Sequence, residues 1–164
     1  MNATDSDLGA AYPTYYGNGR QQYLIRASEL TALGMSTGNI QSISFNVTGT
    51  AGNPATLNGY TIKLAPTTAT TASTTFITGS YTTVFGPQNF TPTPGGWNLH
   101  TLSTPFLWNG SSNLVVDICF SNQVTGVSAY QNYYSSPGFT VSTYYQADGT
   151  AGAGACTQAT GSTS

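Results

Sequence analysis

The chain has 164 residues, is 38% hydrophobic and only 5% charged, and carries a formal net charge of -2. That length fits one domain able to bury a core, and the hydrophobic content excludes a disordered chain of high charge. A nearly neutral chain offers no footprint for nucleic acid or an anionic membrane, and no apolar run approaches the roughly 20 residues that span a bilayer. Solubility must rest on Thr, Ser, Asn, Gln, Gly and Tyr, a palette that suits exposed β-structure joined by Gly, Asn and Pro turns.

Met1 leads straight into the polar "NATDSD". We read this start as a maturation boundary in front of an excised domain rather than a cytoplasmic N-terminus. Residues 1–11 read as an extended segment. The next stretch, "YPTYYGNGRQQYLIRASEL", concentrates four tyrosines with Arg20, Arg26 and Glu29. "QQYLIRA" predicts a strand. Ser28 as N-cap, Glu29 in the first turn and Gly34 as the stop predict one or two helical turns over 28–33.

Strand signals then recur. Ile43, Phe45 and Val47 alternate with polar residues in "NIQSISFNV". In "GYTIKLA", Tyr60, Ile62 and Leu64 share one face and Lys63 takes the other. "SYTTVFG" and "GWNLHTL" are weaker strands. "NLVVDICF" sets Leu114, Val116, Ile118 and Phe120 against Val115, Asp117 and Cys119. "VSAYQNYY" and "GFTVSTYY" complete the set, with turn clusters such as "FGPQN", "TPTPGG" and "WNGSSN" between strands. The Thr-rich "TTATTASTTF" reads as a long surface connection. The pattern predicts an all-β, antiparallel sandwich of jelly-roll or immunoglobulin-like kind, with about eight strands and at most one short helix. A closed barrel fits the same alternation. The sandwich would occupy 12–147, followed by a Gly/Ala/Thr-rich tail over 148–164.

Cys119 and Cys156 form the only possible disulfide, which would tether that tail. Their spacing matches no zinc pattern, and the single histidine lies apart from both. Catalysis needs converging titratable groups. Asp117 and Asp148 could flank a sugar, but so could any two acids. His100 could join a hydrolytic triad, yet no G-x-S-x-G elbow, phosphate-cradling loop or histidine cluster accompanies it. His100 reads instead as an exposed or hydrogen-bonded strand residue, and the chain as no enzyme. Calcium is the one cofactor the sequence admits, through Asp5 and Asp7 in "TDSDLG" and Asp148 in "QADGTAG". Turn chemistry explains Asp148-Gly149 equally well.

Asp117 stands alone in an apolar strand, and a buried carboxylate needs a partner. Arg20 or Arg26, reaching across the sandwich, would supply a structural ion pair. Sugar recognition by Arg20 is the functional alternative. Tyrosines are the other surplus. Tyr15, Tyr16, Tyr130, Tyr134 and Tyr144, with Arg20, are candidate binding residues, because exposed aromatics beside amides suit stacking on a glycan or packing on a cell-surface protein. Extended geometry sends Tyr144 and Tyr145 to opposite faces.

The order of "YPTYYGNGRQQYLIRASELTALGMSTGNIQSISFNV", "LNGYTIKL", "TTVFGPQNFTP", "GWNLHTLSTPFLWNGSSNLVVDICF" and "YYQADGTAGAGACT" resembles a module repeated in large secreted bacterial surface proteins that carry type IX secretion sorting domains. The likeness runs from about Tyr12 to Cys156, and "RQQYLIRASEL" and "PFLWNGSSNLVVDICF" are its most specific segments. It implies an extracellular β-sandwich, often one among several in a chain, and brings no catalytic assignment. The expected function is a non-catalytic surface module, secreted or at the cell surface, for adhesion or glycan binding. The alternative is a self-assembling structural subunit of an extracellular filament or surface layer, whose partner is a copy of itself. Near-neutral surfaces repel weakly, and sandwich edges accept an added strand.

Overall fold

The computed structural model describes residues 3–4, 11–51, 55–124, 129–134 and 137–164. In chain order the strands are β1 (Ala3–Thr4), β2 (Asn18–Ile25), β3 (Gly38–Ala51), β4 (Leu57–Thr67), β5 (Thr82–Phe90), β6 (Gly96–Trp108), β7 (Asn113–Ser121), β8 (Ala129–Tyr134), β9 (Ser142–Ala147) and β10 (Ser162–Thr163). Strands β2 to β9 are those the alternation predicts; β1 and β10 are two-residue additions. One short helix, α1 (Ala27–Ala32), follows β2. Its N-cap is Arg26 rather than Ser28, because the Glu29 carboxylate accepts from the Arg26 amide at 2.8 Å. Gly34, at φ 86°, takes the left-handed backbone that ends the helix.

The strands form an antiparallel sandwich. One sheet has the order β1-β8-β3-β6, the other β10-β9-β2-β7-β4-β5. Between them lies a core of Leu57, Ile62, Leu64, Val84, Leu102, Trp108, Val116, Ile118 and Phe120. Its centre is aromatic. Tyr12, from the segment before β2, is buried among Phe45, Tyr60, Phe90 and Tyr130 with ring centroids 5.6–6.0 Å away. Three tyrosines are therefore core residues, and their hydroxyls stay satisfied: Tyr60 donates to Ala11 O and Tyr130 to Ala55 O.

The outer face of the six-stranded sheet is also covered, and β7 is consequently buried on both faces. The Thr-rich connection between β4 and β5 is more than a surface loop. It crosses this face beside the C-terminal tail, and the two pair with each other: Thr75 bridges Thr160, the Phe76 amide donates to Ala159 O and the Gly161 amide to Thr74 O. Phe76, Ala72 and Ala155 are buried beneath. The Cys119–Cys156 disulfide fastens the tail from below, with a Cα–Cα distance of 5.3 Å.

Asp117, 1% exposed, sits under this cover. Arg20 meets it through Nε, at 3.2 and 3.3 Å from the two carboxylate oxygens, and through Nη2 at 2.5 Å. The pair lies within one sheet rather than across the sandwich. Arg20 stands opposite Cys119 on β7, one diagonal step from Asp117. Gln22, directly opposite Asp117, donates to it at 2.7 Å and accepts from the Ile77 amide at 2.7 Å, which binds sheet to cover. Arg26 is not part of this pair. Beyond the end of β2, it donates to Thr70 O and lies 3.5 Å above the Phe139 ring.

Two stability outcomes follow from this layer. Arg20→Met should cost about 3–5 kcal/mol in urea unfolding, since it leaves a buried carboxylate unpaired. Cys156→Ser opens a loop of 37 residues and should cost about 4 kcal/mol on the chain-entropy account. Alkylation of the unreduced protein should add no mass; two modified thiols would contradict the bridge.

Candidate functional site

Tyr15 and Tyr16 occupy the short run that joins two buried anchors, Tyr12 in the aromatic core and Asn18 at the start of β2. The rings are 51% and 36% exposed and meet edge to face, with centroids 5.1 Å apart. Their loop lies at one end of the sandwich with two others, 122–124 after β7 and 148–150 after β9. Asn18 joins all three. Its Nδ2 donates to Ala147 O and Gly149 O, both at 2.9 Å; its Oδ1 accepts from Ser121 Oγ at 2.7 Å and from the Gln123 amide at 3.0 Å. Those four bonds exhaust a side-chain amide's capacity. The Asn122 amide donates to Gly17 O and the Gly149 amide to Val124 O. Gly17 is required, because any side chain there would overlap the Val124 carbonyl. Gln123 holds a φ of 56°, uncommon for a residue with a side chain and maintained here by the Asn18 clamp. Exposed Val124 completes the surface. The result is an aromatic pair on a fixed platform, with its ordering cost met before any partner arrives.

The remaining candidates divide. Asp148 is exposed, and its Oδ1 accepts from the Gly17 amide at 2.9 Å, so it braces the tyrosine loop. Asp5 and Asp7 lie outside the described residues. Among the described residues no three His, Cys, Asp or Glu groups gather as a metal site would need. Arg20 is occupied by Asp117, by Gln158 O and by the Phe76 ring 4.3 Å away, which answers the sugar-recognition alternative with a structural role. Tyr130, expected at the surface, is buried in the core. Tyr144 is half-buried on β9, and the side chain of Tyr134 lies outside the described residues.

His100 is fully buried, not exposed. Its Nε2 shares a 2.7 Å hydrogen bond with the Tyr12 hydroxyl, Phe85 and Phe90 pack 4.6 and 4.5 Å from its ring, and Nδ1 has no partner among the described residues. Burial lowers its pKa from 6.5 to about 4 and pushes the Tyr12 hydroxyl far up, so both stay neutral. The ring is sealed from any substrate. Sequence reasoning missed Asn18 and, on β6, the outward Trp97 and Leu99. Alternation in "GWNLHTL" separates Trp97 and Leu99 from Asn98 and His100 but leaves undecided which set faces out.

No protein family, curated protein or solved structure matches this chain.

The His100 pKa fixes a pH dependence. As pH falls, the unfolded chain protonates first, so stability is full above about pH 6.5 and is lost toward pH 4. By pH 5 the loss should be about 2 kcal/mol. Urea midpoints between pH 7 and 5 should show this slope in the wild type and a flatter one in His100→Gln.

Proposed function

We propose that this chain is a non-catalytic extracellular recognition module, secreted or displayed at a cell surface, that serves adhesion or glycan binding. The observation that carries the reading is the exposed Tyr15–Tyr16 pair on loops locked by Asn18. Binding residues on loops held by a rigid scaffold are how β-sandwiches present recognition surfaces. Paired phenol rings give large apolar contact at low entropy cost and keep hydroxyls for a polar partner. The disulfide suits an oxidising compartment, and no helix among the described residues is long and apolar enough to cross a membrane. The resemblance to modules of secreted bacterial surface proteins points the same way.

A second reading, self-assembly into a filament or surface layer, rests on β1. It adds only two residues to the β8 edge, with Ala3 opposite Tyr134 and Thr4 opposite Tyr133. A neighbour's segment could occupy the same edge by strand addition.

The double variant Tyr15→Ala/Tyr16→Ala should fold normally and lose about tenfold or more in binding to glycan arrays or cell surfaces. Undiminished binding to every ligand that the wild type binds would end the assignment of recognition to the tyrosine pair. Electron microscopy decides the second: regular filaments that vanish when residues 1–11 are deleted would establish it, and monodisperse monomers at high concentration would dismiss it.

A further inference from the structure

The first part of strand β6, from Trp97 to His100, is inverted with respect to hydrophobicity, whereas Leu102, Phe106 and Trp108 further along face the core. Trp97 and Leu99 face solvent at 70% and 61% exposure, while Asn98 and His100 face the core. This parity has a cost. An imidazole must be kept neutral in an aromatic cluster, and Asn98 must be satisfied by the Thr93 amide and carbonyl at 2.7 and 2.9 Å. The opposite parity would bury the Trp97 indole and Leu99, at the expense of exposing Leu102, which shares the inward face with His100. Local conflicts of this kind collect where a surface is needed for function.

The neighbouring strand shows what the surface is made of. Trp97 stands opposite Asn46 on β3, Leu99 opposite Ser44 and Thr101 opposite Ser42. Directly paired residues share a face. A band of amide and hydroxyl groups therefore runs beside the apolar pair. The four strands of this sheet contain no Asp, Glu, Lys or Arg; the charged residues that strands carry, Arg20, Lys63 and Asp117, all belong to the other sheet.

We propose that the outer face of the four-stranded sheet binds an extended neutral polysaccharide with equatorial hydroxyls, Trp97 stacking on its sugar rings. Such a ring has apolar C–H faces and a hydroxyl rim, and this strip has the same division. Trp97 and Leu99 take the C–H face; Asn46, Ser44 and Thr101 take hydroxyls. Strands without a cationic residue give an acidic polysaccharide, a nucleic acid or a phospholipid headgroup no counter-charge. A second copy of the chain fits less well, since a stable interface needs about 800 Å² per partner and, among the described residues, the large apolar groups exposed here are Trp97 and Leu99, with Leu107 further along the strand. The surface is separate from the tyrosine loop, so each stands or falls alone.

Affinity electrophoresis in gels containing hydroxyethylcellulose or mixed-linkage β-glucan, with polygalacturonate as the charged control, tests this. The neutral polymers should retard the protein, the charged one should not, and retardation should hold from about 0.05 to about 1 M NaCl. Trp97→Ala should weaken binding about tenfold or more, Leu99→Ser less, and Tyr15→Ala/Tyr16→Ala not at all. Trp97 is one of two tryptophans, and Trp108 is buried with its indole N–H donated to Ser112 O. A polysaccharide-dependent fluorescence change should thus disappear in Trp97→Ala, whose thermal unfolding should match the wild type. No retardation by either neutral polymer, or retardation undiminished in Trp97→Ala, would overturn the proposal. So would a concentration-dependent dimer that Trp97→Ala abolishes without any polymer binding, which assigns the face to a second copy.

Discussion

A carboxylate placed inside a β-sheet protein has to be compensated, and the way Asp117 is compensated organises half of this molecule. Arg20 reaches it along the outer face of the six-stranded sheet, and the rest of the guanidinium is taken up by the Gln158 carbonyl and the Phe76 ring. Those two partners belong to the tail and to the β4–β5 connection. The ion pair is therefore dry only when the cover is down, and the cover finds its polar anchor only where the pair stands. Gln22 and the Cys119–Cys156 bridge tie the same layers beside it. A shift of one residue between β2 and β7 would turn Arg20 toward the aromatic core, so the pair also specifies register.

Charge is thereby confined to one side. The six-stranded sheet carries Arg20, Asp117 and, directly across from Asp117, Lys63. The four-stranded sheet carries none in its strands, and its single imidazole, His100, is held neutral within the core. One outer face is closed by covalent and ionic ties, and the other is left open to solvent with Trp97 and Leu99 upon it. The end of the sandwich supplies a third element, the tyrosine loop, fixed by an asparagine whose hydrogen bonds are all in use. Tyr12 links these regions: its ring fills the core, its hydroxyl meets His100, and it anchors one end of the run that displays Tyr15 and Tyr16.

Part of the site was legible in the chain. The isolation of Asp117 among Val and Cys called for an arginine, and with only two arginines the choice was short. Tyr15 and Tyr16 were among the candidates because the tyrosines outnumbered what one core was expected to hold. The surplus of tyrosines was misleading in its reach, because a core can absorb Tyr12, Tyr60 and Tyr130 once the His100 ring nitrogen stands within reach of the first hydroxyl and backbone carbonyls within reach of the other two. Asn18 gave no signal beyond its type, since its partners lie about 103 to 131 positions away.

The sequence by itself determined the fold class, the strands from β2 to β9, the short helix and the disulfide, because period-two alternation, turn chemistry and a single pair of cysteines are local or arithmetical facts. Only the tertiary structure decided which arginine pairs with Asp117, that the Thr-rich connection and the tail form a lid over one sheet, and that β6 turns Trp97 outward and His100 inward. Alternation separates two faces but does not say which is inside. That is settled by register, and here Ile43 and Phe45 on β3, paired with His100 and Asn98, together with Leu102 on the same face of β6, carry those two polar residues into the core.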